Sequence, residues 1–144
     1  MTEASEGPVT ILIAEDDEGH ARLVQEYFRD AGLNNPVQRL RDGVETIDFL
    51  MNPGDPVPRK YVLLLDIKMP GLDGVEVLKK VKADERLKPM PVIMLTTTDD
   101  ARDIAACYRA GCNGYLVKPV GPSGFAEMSR RLAMFLQVLK VTPV

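Results

Sequence analysis

The chain has 144 residues, 45% of them apolar, which supplies about 65 side chains for a single core and leaves two independent folding units short of length. Its longest uninterrupted apolar runs, Tyr61 to Leu65 and Leu132 to Leu136, fall far below the ~18 residues needed to span a bilayer. The net charge of -3, from 18 basic and 21 acidic side chains scattered along the chain, excludes a concentrated nucleic-acid surface.

Residues 1–9 are expected to form a flexible N-terminal segment. Met1 to Pro8 carries Glu3 and Glu6 and no basic or apolar stretch, so it is no secretory signal, and the expected compartment is the cytoplasm. Thr10-Ile-Leu-Ile-Ala14 is nearly free of polar alternation, as in a strand covered on both faces. Ala21, Val24, Phe28 and Ala31 then recur at helical spacing and stop at Gly32. Val37-Gln-Arg-Leu40 alternates, which suits an edge strand with a wetter side. Asn52 to Lys60, with Pro53, Gly54, Pro56 and Pro58, is the only long connection, and its prolines keep it extended.

Tyr61-Val-Leu-Leu-Leu65 is a third strand. Asp73-Gly-Val-Glu76 has the form of a capping box before Val77, Leu78 and Val81, with Lys79, Lys80 and Lys82 read as the solvated side of that helix. Val92-Ile-Met-Leu95 is a fourth strand, and Ile104, Ala105 and Tyr108 mark the apolar face of a helix that runs to Gly111. Cys107 and Cys112 are too few for a disulfide framework or a metal site and read as reduced, buried thiols. Gly114-Tyr-Leu-Val117 is a fifth strand, stopped by Pro119. A last helix, about Ser123 to Leu139, places Phe125, Met128, Leu132, Phe135, Leu136 and Leu139 on one core-facing stripe, and residues 140–144 form a tail.

A strand–helix unit repeated five times means an α/β fold: a parallel sheet with right-handed crossovers and helices on both faces. In such sheets ligands bind at the carboxyl ends of the strands. The first strand runs into Glu15-Asp16-Asp17, the third into Asp66, the fourth into Thr96 and the fifth into Lys118. With strand order 2-1-3-4-5, the flavodoxin-like arrangement, Glu15, Asp16 and Asp66 converge at neighbouring tips.

Carboxylates that close repel one another and resist burial unless a cation joins them. Oxygen ligands with positions left open for water suit Mg²⁺. With the metal held by Asp16 and Asp66, a free oxygen of Asp66 can attack phosphorus, while the Thr96 hydroxyl and the Lys118 ammonium meet the incoming phosphoryl oxygens. Asp17 reads as a helix N-cap rather than a ligand. His20 has nothing in its sequence neighbourhood to make it a phosphate-accepting histidine.

These residues resemble the receiver domain of bacterial two-component response regulators, through Ile11-Leu-Ile-Ala-Glu-Asp-Asp17, Leu65-Asp-Ile-Lys-Met-Pro-Gly-Leu-Asp-Gly74, Met94-Leu-Thr-Thr-Thr98 and Gly114-Tyr-Leu-Val-Lys-Pro119. The resemblance covers about Thr10 to Leu139, so residues 10–139 are expected to be the receiver domain, with the (βα)5 fold. It implies that Asp66 is the phosphoacceptor and Glu15 and Asp16 the acidic pair. It makes the backbone carbonyl of Lys68 a third protein ligand of Mg²⁺, and Thr96 and Lys118 the phosphoryl-binding groups. It further implies that Thr96 and Tyr115 are the switch residues, with Tyr115 turning inward, and that Lys118-Pro119 is a cis peptide. Thr97, where the family commonly has a small residue, and Lys68, where shorter or uncharged residues are frequent, depart from the pattern without removing a catalytic group.

The segments Thr96-Thr-Thr-Asp-Asp100, Cys107-Tyr108, Gly111-Cys-Asn-Gly-Tyr115 and Phe135 to Pro143 are similar to stand-alone regulators that serve phytochrome-type or hybrid sensor histidine kinases. The expected partners are therefore a sensor histidine kinase, an unidentified downstream protein and, through the face of the fourth helix, fifth strand and last helix or through the tail, a second copy of the chain. No nucleic acid or membrane partner is expected. The competing reading is an aspartyl-nucleophile phosphatase of the haloacid-dehalogenase type, but that chemistry needs a second carboxylate two residues after the nucleophile, where this chain has Lys68. A receiver-like domain that only binds fits poorly with the retention of Asp16, Asp66, Thr96 and Lys118.

Overall fold

Strands without polar alternation belong in a sheet covered on both faces, and that is where the chain places them. The structure is a computed structural model that describes residues 8–54, 58–119 and 121–144. The described residues form strands β1 (Thr10–Ala14), β2 (Val37–Leu40), β3 (Tyr61–Leu65), β4 (Val92–Thr96) and β5 (Gly114–Val117). These alternate with helices α1 (Glu18–Asp30), α2 (Gly43–Met51), α3 (Gly74–Ala83), α4 (Ala101–Arg109) and α5 (Pro122–Val138). All pairings are parallel, in the order β2-β1-β3-β4-β5. Ala14 lies opposite both Leu40 and Leu65, Leu65 opposite Met94, and Thr96 opposite Val117. The carboxyl ends are thus brought to one rim of the sheet.

The two faces divide the core between them. Leu12, Ala14, Leu63, Leu65, Val92 and Met94 pack toward Leu50 of α2, Val77, Leu78 and Val81 of α3 and Cys107 of α4. Their sequence neighbours Ile11, Ile13, Val62, Leu64, Ile93 and Leu95 pack toward Val24 and Phe28 of α1 and Phe125, Leu132 and Leu136 of α5. Each of the larger aliphatic and aromatic side chains among them contributes about 1.5–3 kcal/mol by leaving water. Helix starts follow one rule: the side chains of Asp17, Asp42, Asp73 and Asp100 accept from the backbone N–H groups of His20, Glu45, Glu76 and Arg102, each cap contributing about 1 kcal/mol. At the end of α4, Gly111 takes φ +102°, while its N–H donates to Tyr108 O and that of Cys112 to Cys107 O, which closes the helix with a left-handed glycine.

Several expectations are corrected. The sequence pattern does not delimit α2, because its buried face carries Gly43 and Thr46 while Val44 and Met51 are exposed. In α4 the buried residue is Cys107, and Tyr108 is 53% exposed. In α5 the expected stripe is corrected: the core face runs through Phe125, Ser129, Leu132, Ala133 and Leu136, and Phe135, one step off it, is 49% exposed. Lys82 is no solvated lysine. Its Nζ donates to Lys88 O at 3.0 Å, Met90 O at 2.7 Å and Asn113 Oδ1 at 3.3 Å, supplying carbonyls of the turn after α3 that no helix or strand partner reaches.

The Lys118–Pro119 bond is trans, as are all peptide bonds among the described residues. An X–Pro bond prefers trans by about 0.5–1 kcal/mol unless its surroundings favour cis, and here Gly121, at φ +98°, makes the turn into α5. Of the N-terminal segment, residues 1–7 lie outside the described residues, as do residues 55–57 of the long connection. Residue 9 is anchored, its carbonyl accepting from Asn35 Nδ2 at 2.9 Å. The last residues are docked as well: Val144 and Arg59 exchange two backbone hydrogen bonds, at 2.8 and 3.1 Å. No helix of the described residues is long and apolar enough to cross a membrane.

Candidate functional site

Three backbone devices build the rim of the sheet. The Asp66 N–H donates to Ala14 O at 3.1 Å, extending the β1–β3 ladder by one residue and setting Asp66 beside the start of the acidic loop. Beyond it, Ile67 and Met69 are buried, the Met69 N–H turns back to Ile67 O at 3.1 Å, and Lys68 is left exposed between them. The chain then returns at Gly74, whose N–H donates to Ile67 O at 2.8 Å. A Cβ at Gly74 would lie 2.1 Å from Asp66 O, so only glycine allows α3 to begin this close to the Asp66 backbone.

On this rim Glu15, Asp16 and Asp66 each offer a carboxylate oxygen within 4.8 Å of the other two. Glu15 is buried at 4% exposure, Asp66 is half-buried and Asp16 is exposed. Burial pushes Glu15 up to about 7; Lys118 opposes that shift and the negative charge of Asp66 adds to it. Lys118, itself buried, forms an ion pair with Glu15 through Nζ and Oε1. That one ammonium leaves the cluster with excess negative charge on an oxygen-only donor set, part of it open to solvent, which is the chemistry of a divalent-cation site.

Thr96 is fully buried at the tip of β4, where its Oγ1 accepts from the Thr98 N–H at 3.4 Å. The Tyr115 hydroxyl donates to Thr98 O at 2.7 Å, its half-buried ring packs against the core, and burial raises its phenol to about 12. The Thr98 hydroxyl is buried without a hydrogen-bond partner. Asp17 is an N-cap, its Oδ1 accepting from the His20 N–H at 3.0 Å.

Two residues outside the expected site set, His20 and Arg39, also reach it. His20 Nδ1 lies 3.5 Å from Lys118 Nζ and 3.8 Å from Glu15 Oε1, with its ring against Phe125 of α5. Arg39 of β2 donates to Glu15 O and Asp16 O at 3.1 and 3.0 Å. For His20 no local signal existed, since Lys118 and Phe125 are about a hundred residues away. For Arg39 the signal was a long cation near the tip of the strand expected to lie beside the acidic loop.

The model of the response regulator receiver domain matches residues 11–130. The response regulator Rcp1 of Synechocystis sp. is 38% identical over 120 residues, which are 82% of this chain and 82% of that protein. A crystal structure of the Mn(2+)-bound form of Rcp1 superposes with a TM-score of 0.84 at 33% identity, covering 94% of this chain and 99% of that one. The phosphorylated cyanobacterial phytochrome response regulator RcpA gives a TM-score of 0.85 at 29% identity, covering 94% and 99%.

Proposed function

Because the chain belongs to the response regulator receiver domain family of two-component signalling, we propose that it takes a phosphoryl group from a phosphohistidine of a sensor kinase onto Asp66. A carboxylate oxygen of Asp66 forms the new bond to phosphorus as the P–N bond breaks. The electron pair stays on the imidazole nitrogen, and the product is an acyl phosphate. The observation that carries this reading is the convergence of Glu15, Asp16 and Asp66 within 4.8 Å beside a buried lysine.

Glu15, Asp16, Asp66 and the Lys68 carbonyl would hold Mg²⁺, which when bound supplies charge neutralisation for the phosphoryl oxygens. Lys118 exchanges Glu15 for a phosphoryl oxygen, and the Thr96 hydroxyl turns to another. Such charge-assisted hydrogen bonds contribute roughly 1.5–3 kcal/mol each, so the two together come close to the ~5.5 kcal/mol that moves a population from 1:99 to 99:1. Tyr115 reads the change through Thr98, whose carbonyl it holds and whose N–H rests on Thr96 Oγ1. The face presented to a downstream protein is that of α4, β5 and α5, where Tyr108, Val117, Met134, Phe135 and Val138 are exposed. The same face suits a second copy of the chain.

The resemblance to phytochrome response regulators supports a phytochrome-type kinase as the donor and the cytoplasm as the compartment. The protein is on this reading a phosphoacceptor that promotes its own phosphorylation and dephosphorylation, and no turnover enzyme. Incubation with Mg²⁺ and acetyl phosphate, followed by weighing the intact protein, tests it. One added phosphoryl group that Asp66→Asn abolishes is the expected result. Continuous release of phosphate would make it a phosphatase, and no addition would make it a binding module.

A further inference from the structure

The acidic loop between β1 and α1 is held by a cation that leaves its carboxylates alone. Arg39, a half-buried residue, lies near the end of edge strand β2, opposite Ile13 of β1, and its guanidinium spans two successive carbonyls: Nε donates to Glu15 O at 3.1 Å and an Nη to Asp16 O at 3.0 Å. The Glu15 N–H is fixed from the same strand, by Leu40 O at 3.1 Å. A planar trans peptide points its N–H opposite to its C=O. Turning Asp16 O toward Arg39 therefore turns the Asp17 N–H toward the site, where it meets Glu15 Oε2 at 3.3 Å.

We infer that Arg39 is a positioning residue for the divalent-cation site: by fixing two peptide planes it aims the Glu15 and Asp16 carboxylates at Asp66 without occupying any of their oxygens. The inference rests on the metal site proposed above. The planar two-pronged donor is essential to it, since a lysine ammonium cannot bridge the same pair of carbonyls as a rigid fork.

Charge and position make opposite predictions. As a nearby positive charge, Arg39 repels a cation, so its removal should tighten binding. As a positioning group, its removal should weaken binding by the roughly 10–100-fold usual for partners that orient metal ligands. The experiment titrates the whole chain with Mn²⁺ alone, followed by electron paramagnetic resonance. It compares the unaltered protein, Arg39→Lys, Arg39→Met and, as a control, Arg22→Met, which removes an exposed α1 arginine that pairs with Glu18.

The expected result is tenfold or greater weakening in both Arg39 variants, an unchanged Arg22→Met, and a phosphorylation rate by acetyl phosphate that returns to within about threefold of the unaltered rate once Mg²⁺ is saturating. A loss at saturating Mg²⁺ as large as the loss at low Mg²⁺ would overturn the positioning role. So would tighter binding by Arg39→Met, or unchanged binding by Arg39→Lys. Should Arg39→Met not fold, Arg39→Lys decides alone, since it keeps the charge and loses the fork. Absence of Mn²⁺ binding in the unaltered protein would instead refute the metal site, and with it the premise.

Discussion

Replacing Lys118 by Met removes the ammonium that pairs with Glu15 while keeping most of the side chain's volume. The pair is buried on both sides, and losing one partner of a buried pair costs about 3–5 kcal/mol because the other charge is left without compensation. Glu15, already held at about 7 by burial, has an escape in taking up a proton, which limits the loss. About 2–3 kcal/mol is therefore expected at pH 8 in the presence of a chelator. At a urea m-value of ~2 kcal/mol/M, the unfolding midpoint should fall by about 1–1.5 M. The double variant Glu15→Gln with Lys118→Met carries no orphaned charge and should regain at least half of that loss. If Lys118→Met unfolds within about 0.5 kcal/mol of the unaltered protein, or the double variant is no more stable than Lys118→Met alone, then Glu15 and Lys118 do not stabilise the fold as a buried pair.

Gly74→Ala should destabilise the domain by about 3 kcal/mol or more and slow phosphorylation, because its Cβ would meet Asp66 O at 2.1 Å and a backbone atom cannot yield; a denaturant midpoint within 0.2 M, on the order of measurement error, would show that α3 can move away. In alkali, burial raises Cys107 to about 11 and Tyr115 to about 12 from ordinary values of 9 and 10. The folded state then holds more protons than the unfolded one, so stability should decline as pH rises from about 9 to 12, and the Cys107 thiol should resist alkylation at pH 8 until the protein unfolds. Lys68 is exposed two residues after Asp66, and Thr98 ends in a short, unpartnered hydroxyl. Self-dephosphorylation should accordingly be slow and accelerate in Lys68→Asn and Thr98→Glu, each tenfold gain equalling ~1.4 kcal/mol of barrier; equal decay in all three proteins would remove both positions from control of the lifetime.

Much of this architecture could be read from local patterns. Strands buried on both faces announce themselves by continuous apolar runs, as at Tyr61–Leu65, and helix ends by Asp17, Asp73, Gly32 and Gly111, because caps and left-handed turns are chemistry between near neighbours. The convergence of Glu15, Asp16 and Asp66 followed from strand order alone. What escaped the sequence depends on distant partners. Lys82 looked like the surface lysines beside it, since its acceptors at Lys88, Met90 and Asn113 belong to a turn and a strand edge that folding brings in. The nine residues of α2 hid behind a buried Gly43 and Thr46, which carry no apolar signal. The resting ion pair of Lys118 with Glu15, 103 positions apart, and the approach of His20 to both likewise required α1 and α5 to be packed side by side.

Trapping shows whether Asp66, and no other carboxylate on the rim, receives the phosphoryl group. The protein is loaded with acetyl phosphate and Mg²⁺, the acyl phosphate is reduced with borohydride to the corresponding alcohol, and the altered residue is located by peptide mass spectrometry. Conversion at Asp66, with none at Glu15 or Asp16, is the predicted result; conversion at either of those two, or an unaltered Asp66 in a protein that had gained the mass of a phosphoryl group, would contradict it.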